Sequence, residues 1–122
     1  MANLEELPMT KNDSLPSLKY TVTRSGSGST TPNLAGFTVT IKVRKTPLTT
    51  GSTNVFTRSV TTSSGSTNGY ITSATSANVL FNWSTGDWSS TGTYIAEISF
   101  ASSAGKIETS PDRQTINVTA EF

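Results

Sequence analysis

GDWSSTGTYIAEISF, residues Gly86–Phe100, decides the fold of this chain. Its second half alternates without a slip: Tyr94, Ala96, Ile98 and Phe100 fall on one face, and Thr93, Ile95, Glu97 and Ser99 on the other. A period of two is what a half-buried strand needs, because successive side chains point to opposite faces. Just upstream, Asp87–Tyr94 (DWSSTGTY) reads as a tight corner that delivers a tyrosine into the start of that strand. A buried phenol leaves its O–H unpaired unless a backbone group meets it. Asp87, Gly92 and Tyr94 are therefore expected to form a structural corner, and Tyr94→Phe to cost about 1–3 kcal/mol by orphaning a buried backbone group.

Outward from this stretch, further alternating runs appear. Leu18–Thr23 places Leu18, Tyr20 and Val22 on one face, and Phe37–Arg44 points Phe37, Val39, Ile41 and Val43 inward. Val55–Thr62 is ambiguous: either Phe56 and Val60 face the core with Arg58 between them, or Val55 does and a bulge shifts the register. An inward Arg58 is costly unless paired, and such charges guard edge strands, so an edge position is expected. Tyr70–Thr72 is a short strand, and Asn78–Ser84 aligns Val79, Phe81 and Trp83. Lys106–Thr109 pairs back, Pro111 and Asp112 mark a turn, and Gln114–Phe122 is the last strand. The loops Ser25–Asn33, Lys45–Asn54 and Ser63–Gly69 carry the glycines and prolines that break strands. Seven or eight short strands at this spacing predict an all-β chain, a single antiparallel β-sandwich over residues 18–122. A tyrosine corner of this kind recurs in immunoglobulin-like sandwiches, and the expected fold is Ig-like. Residues 1–17, with Pro8 and Pro16, read as an extended N-terminal arm, from which Leu4, Leu7 and Met9 would dock on a neighbouring subunit.

Composition narrows the function. The chain has 122 residues and a net charge of +1, which gives no electrostatic reason to expect nucleic acid or an acidic membrane. It has no cysteine and no histidine, which removes disulfides, thiolate sites, Ser–His and Cys–His pairs and the usual zinc sites. No apolar run approaches the roughly 18–20 residues of a membrane span, and the opening residues lack the pattern of a signal peptide. Of the carboxylates, Glu97 and Glu121 sit on outward faces and Asp87 and Asp112 in turns, so no catalytic pair is expected. No catalytic residue, cofactor site or metal site is expected, and the chain reads as a non-enzyme. Lys42, Arg44 and Lys45 form a small basic patch of the kind a solvated strand face carries. Trp88 is ambiguous: folded over the sandwich end it is a plug, and exposed beside Tyr70 it could stack on a sugar. That second possibility is a carbohydrate- or cell-surface-binding module.

Four segments resemble the N-terminal domain of the upper baseplate protein of tailed bacteriophages: TKNDSLPSLKYTV (10–22), NLAGFTVTIKVR (33–44), WSTGDWSSTGTYIAE (83–97) and GKIETSPDRQTINVTAEF (105–122). The most specific features are Asp13, Leu15 and Pro16, the Asn33-Leu34-x-Gly36 turn, and Gly92-Thr93-Tyr94. The resemblance implies an Ig-like sandwich that builds virion architecture. In that family the receptor-binding parts follow the domain, whereas this sequence ends at Phe122. The expectation is a virion protein of the baseplate, neck, tail or capsid surface, assembled in the host cytoplasm. Its partners would be other virion proteins and copies of itself in a homo-oligomer, with no nucleic acid and no membrane.

Overall fold

In the computed structural model the described residues are 7–13, 17–22, 32–46, 55–63, 65, 67–84 and 86–120. They form eight strands: β1 (Leu7–Thr10), β2 (Leu18–Thr21), β3 (Thr38–Lys45), β4 (Phe56–Val60), β5 (Gly69–Ser73), β6 (Asn78–Phe81), β7 (Gly92–Ala101) and β8 (Ile107–Thr119). Among the described residues there is no helix. Two sheets result, one ordered β1-β8-β7-β3-β4 and one ordered β2-β6-β5. All pairings are antiparallel except β1 with β8, which is parallel.

The core lies between these layers and follows the alternation in the sequence. On β3, Val39, Ile41 and Val43 are fully buried, and on β7 Tyr94, Ala96, Ile98 and Phe100 are buried while Thr93 is exposed. Register fixes how these rows meet: Ile41 lies opposite Ile98 and Val39 opposite Phe100. Burying each such side chain contributes roughly 1.5–3 kcal/mol. Leu18 and Tyr20 of β2 and Val22 just after it supply the facing layer, with Val79 and Phe81 from β6. The turn before β3 adds Leu34, fully buried, on an Asx-type loop: Ala35 N–H donates to Asn33 Oδ1 (3.0 Å), and Gly36 takes φ +75°.

Two expectations are corrected, and one open alternative is decided. The arm of residues 1–17 is in part a strand: β1 runs beside β8 with Leu7 opposite Ile116 and Met9 opposite Val118, and Met9 is 2% exposed. Apolar side chains at alternate positions bury more surface in the chain's own core than in an extended arm, which decides the matter. Removing residues 2–12 would therefore take out β1 and a core side chain. Second, Pro111 and Asp112 do not end a strand; β8 continues through them. Two steps along β7, from Glu97 to Ser99, face four along β8, from Arg113 to Thr109, so the extra residues form a bulge. Proline has no N–H to give a ladder, and bulges are where sheets accept it. The alternative left open on β4 falls to its first reading: Val55 is 49% exposed, and Val60 is buried with Phe56 packed against the core. β4 is a sheet edge. Leu4, Leu15, Pro16, Thr23 and Phe122, and most of the Ser25–Asn33 and Lys45–Asn54 loops, lie outside the described residues.

Candidate functional site

The corner at the start of β7 gathers most of the residues that the sequence marks out. Gly92 takes φ +142°, which L residues rarely adopt, so glycine serves the backbone; the nearest neighbour of a Cβ there, Lys45 Cε, is the end of a flexible side chain and can move aside. Two residues on, Tyr94 is 2% exposed, and its hydroxyl donates to the Ser90 carbonyl oxygen at 2.8 Å. Burial raises the Tyr94 pKa above its ordinary value of 10.0, because the phenolate would lose water. Lys45 Nζ lies 5.9 Å from the centre of the same ring.

Beneath this bond sits an aromatic cluster. Trp88 is fully buried and meets Phe56 (5.1 Å between ring centroids), Trp83 (5.1 Å) and Tyr94 (5.3 Å), each edge-to-face. Such pairs add roughly 0.5–1.5 kcal/mol beyond area burial. Trp88 Nε1 is buried with no hydrogen-bond partner among the described residues, so part of that gain is offset. With no exposed ring, Trp88 offers nothing for a sugar to stack on. Tyr70 is elsewhere, half-buried on the outer face of the β2-β6-β5 sheet with Lys19, Thr21, Thr72, Asn78 and Leu80. The structure does not bring Tyr70 and Trp88 together.

Asp87 does more than shape a turn. Its carboxylate accepts both guanidinium arms of Arg58, with Nη2 to Oδ1 at 3.3 Å, and the backbone N–H of Ser84 at 2.7 Å. Arg58 Nη1 also donates to the Asn82 carbonyl oxygen at 3.1 Å, and its Cζ lies 5.2 Å from the centre of the Phe56 ring. The two side chains are only 12% and 14% exposed, so water screens this pair little. The inward arginine of β4 is thus paired, and it clamps the 82–88 loop to that edge. Asp87 and Arg58 are each legible as residues needing a partner, but their separation of 29 positions hides the match.

A second buried polar contact also escapes sequence reasoning. Tyr20 on β2 donates its hydroxyl proton to Ser110 Oγ on β8 at 2.8 Å, joining the two sheets beside the bulge. A tyrosine on an inward apolar face is the one available signal, since its hydroxyl needs an acceptor.

Of the expected subunit contacts, Leu7 and Met9 pack inside their own sandwich, and Leu4 lies outside the described residues. On the outer face of the larger sheet, Lys42, Glu97 and Arg113 form one row across β3, β7 and β8. With Arg44 and Ile95 they line a shallow depression. The Arg113 Nη2 to Glu97 Oε2 contact is 3.5 Å between half-exposed groups, where water screens most of the attraction. Among the described residues no three carboxylates converge to hold a metal ion. The geometry locks loops and presents faces and edges. No protein-family model, curated protein or solved structure matches the chain.

Proposed function

We propose that this chain is a non-enzymatic structural component of a tailed-bacteriophage particle, an Ig-like module that joins polypeptides at the baseplate, neck, tail or capsid surface. One observation carries the reading: the less exposed of the two ion pairs seen among the described residues, Arg58 with Asp87, is spent on fixing a loop. What remains for partners is sheet surface and strand edge. The parallel β1–β8 pairing and the Tyr94 corner support the Ig-like assignment, because both belong with a two-sheet sandwich whose β7 is central. Its partners are other virion proteins and further copies of itself, and assembly takes place in the host cytoplasm. The rival, a glycan-binding module, would have to work from Tyr70 without Trp88.

The test is quantitative mass spectrometry of gradient-purified particles from a host producing this chain. A fixed copy number per particle, with incomplete particles when the gene is deleted, is expected. Absence of the chain from purified particles, or normal particles without it, overturns the proposal.

A further inference from the structure

The strand edges of the sandwich are not equally protected. Lys11 N–H donates to the Thr119 carbonyl at 2.8 Å, which fixes the phase of β1: its odd-numbered residues address β8 and its even-numbered ones face away. Pro8 is one of the outward residues and offers no donor. On β5, the outward Ile71 N–H is taken by the Thr61 carbonyl at 2.7 Å. Among the described residues β2 has neither device. Val22 N–H donates to the Ala77 carbonyl at 2.9 Å, so Leu18, Tyr20 and Val22 address β6, while Lys19 and Thr21 turn their N–H and C=O groups away from it. Among the described residues nothing meets those groups. The side chains of both residues are exposed on the outer face.

We propose that this edge joins two copies of the chain, β2 against β2 in antiparallel sense about a two-fold axis at Tyr20. A two-fold interface must be self-complementary, and this edge is. With Tyr20 opposite Tyr20 of the second copy, Lys19 faces Thr21 and Thr21 faces Lys19. Each outward N–H then finds an outward C=O at the alternation an antiparallel ladder requires. The two ammonium groups do not stand opposite one another, so no like-charge pair opposes the contact. The small sheets become one continuous sheet, β5-β6-β2 followed by β2-β6-β5. This inference rests on backbone geometry and stands whether or not the chain belongs to a phage particle.

Sedimentation equilibrium of the whole chain tests it. A reversible dimer is expected, and Thr21→Pro should raise its dissociation constant about tenfold or more. That substitution removes an outward N–H and no internal backbone bond, so the thermal midpoint should move little. A wild-type chain that stays monomeric into the millimolar range overturns the proposal, and so does a folded Thr21→Pro variant with an unchanged dissociation constant. Should Thr21→Pro fail to fold, register decides. The chain has no cysteine of its own, and residues paired across such a ladder lie about 5.5 Å apart between Cα atoms, within disulfide reach. A mixture of Lys19→Cys and Thr21→Cys chains should oxidise to a mixed disulfide dimer faster than either chain alone. Equal rates in all three samples overturn the proposed register.

Discussion

At the corner of β7, Asp87 answers Arg58 and Ser90 answers Tyr94; along β2, Lys19 and Thr21 present backbone groups that nothing among the described residues answers. Both regions belong to edges or ends of the same sandwich, where unpaired polar groups are a hazard. The corner removes the hazard within the chain, with an ion pair laid over a packed aromatic cluster. The β2 edge leaves it open to a second polypeptide. Stability and association are thereby separated: a change at the corner should destabilise the domain, and a change on β2 should alter only what it joins.

The largest expected effect tests the packed side of that contrast. Trp88→Ala removes a fully buried ring that touches Phe56, Trp83 and Tyr94. A loss of about 3–5 kcal/mol is expected in denaturant melts, the range for buried aromatic truncations. Trp88→Phe should cost clearly less, since it keeps most of the apolar ring contact that Trp88→Ala removes. Equal costs for the two would mean that the apolar contact of the ring contributes little to the corner. A small cost for Trp88→Ala would break the contrast, because the corner would then be no better fixed than the β2 edge.

A smaller effect is expected at the clamp. Asp87→Ala leaves the Arg58 guanidinium in a site only 12% exposed with its carboxylate gone. A cost of about 2–3 kcal/mol is expected, below the 3–5 kcal/mol typical of a fully buried pair because some water reaches this one. Adding Arg58→Met should recover part of the loss, since the stranded charge goes with it and the stem that covers Phe56 is retained. If the double variant is as unstable as the sum of the singles, the two residues act independently and the clamp is not the unit described.

How much of this was legible in the sequence depends on the range over which each feature is encoded. The strands of β7 and β3 were readable because alternation is local: Val39, Ile41 and Val43 carry their own period, as do Ala96, Ile98 and Phe100. β1 was not, since it has only four residues, contains Pro8, and gains its meaning from β8, more than a hundred positions away. The continuity of β8 was hidden by Pro111, which signals a turn unless the partner strand shows that a bulge accepts it. At the corner, the need of the Tyr94 hydroxyl for a backbone acceptor could be argued from local sequence, whereas the Arg58–Asp87 match and the burial of Trp88 are tertiary. The composition of β2 likewise gives no hint that no described strand lies along its outer edge, because that follows from the order of the strands in the sheet.

The Tyr94 hydroxyl marks the weakest bond of the corner and sharpens the contrast most finely. Its acceptor, the carbonyl of Ser90, belongs to an exposed residue, so water can replace the phenol there. Tyr94→Phe is accordingly expected to cost about 1 kcal/mol, the low end of the range the sequence alone suggested for a buried acceptor. The pH dependence carries the sign of the burial. Below pH 10 the phenol is protonated in both the folded and the unfolded chain, and its contribution is fully present. Above pH 10 the unfolded chain gives up the proton while the folded chain, with its raised value, keeps it. The native state then binds more protons, and stability falls as pH rises through the native value. Stability of the wild type measured at successive alkaline pH values should therefore fall more steeply than that of Tyr94→Phe, the other tyrosines contributing equally to both. Parallel curves would mean that the Tyr94 ring is as wet as an unfolded one, and that the corner is held by Trp88 and the Arg58–Asp87 clamp alone.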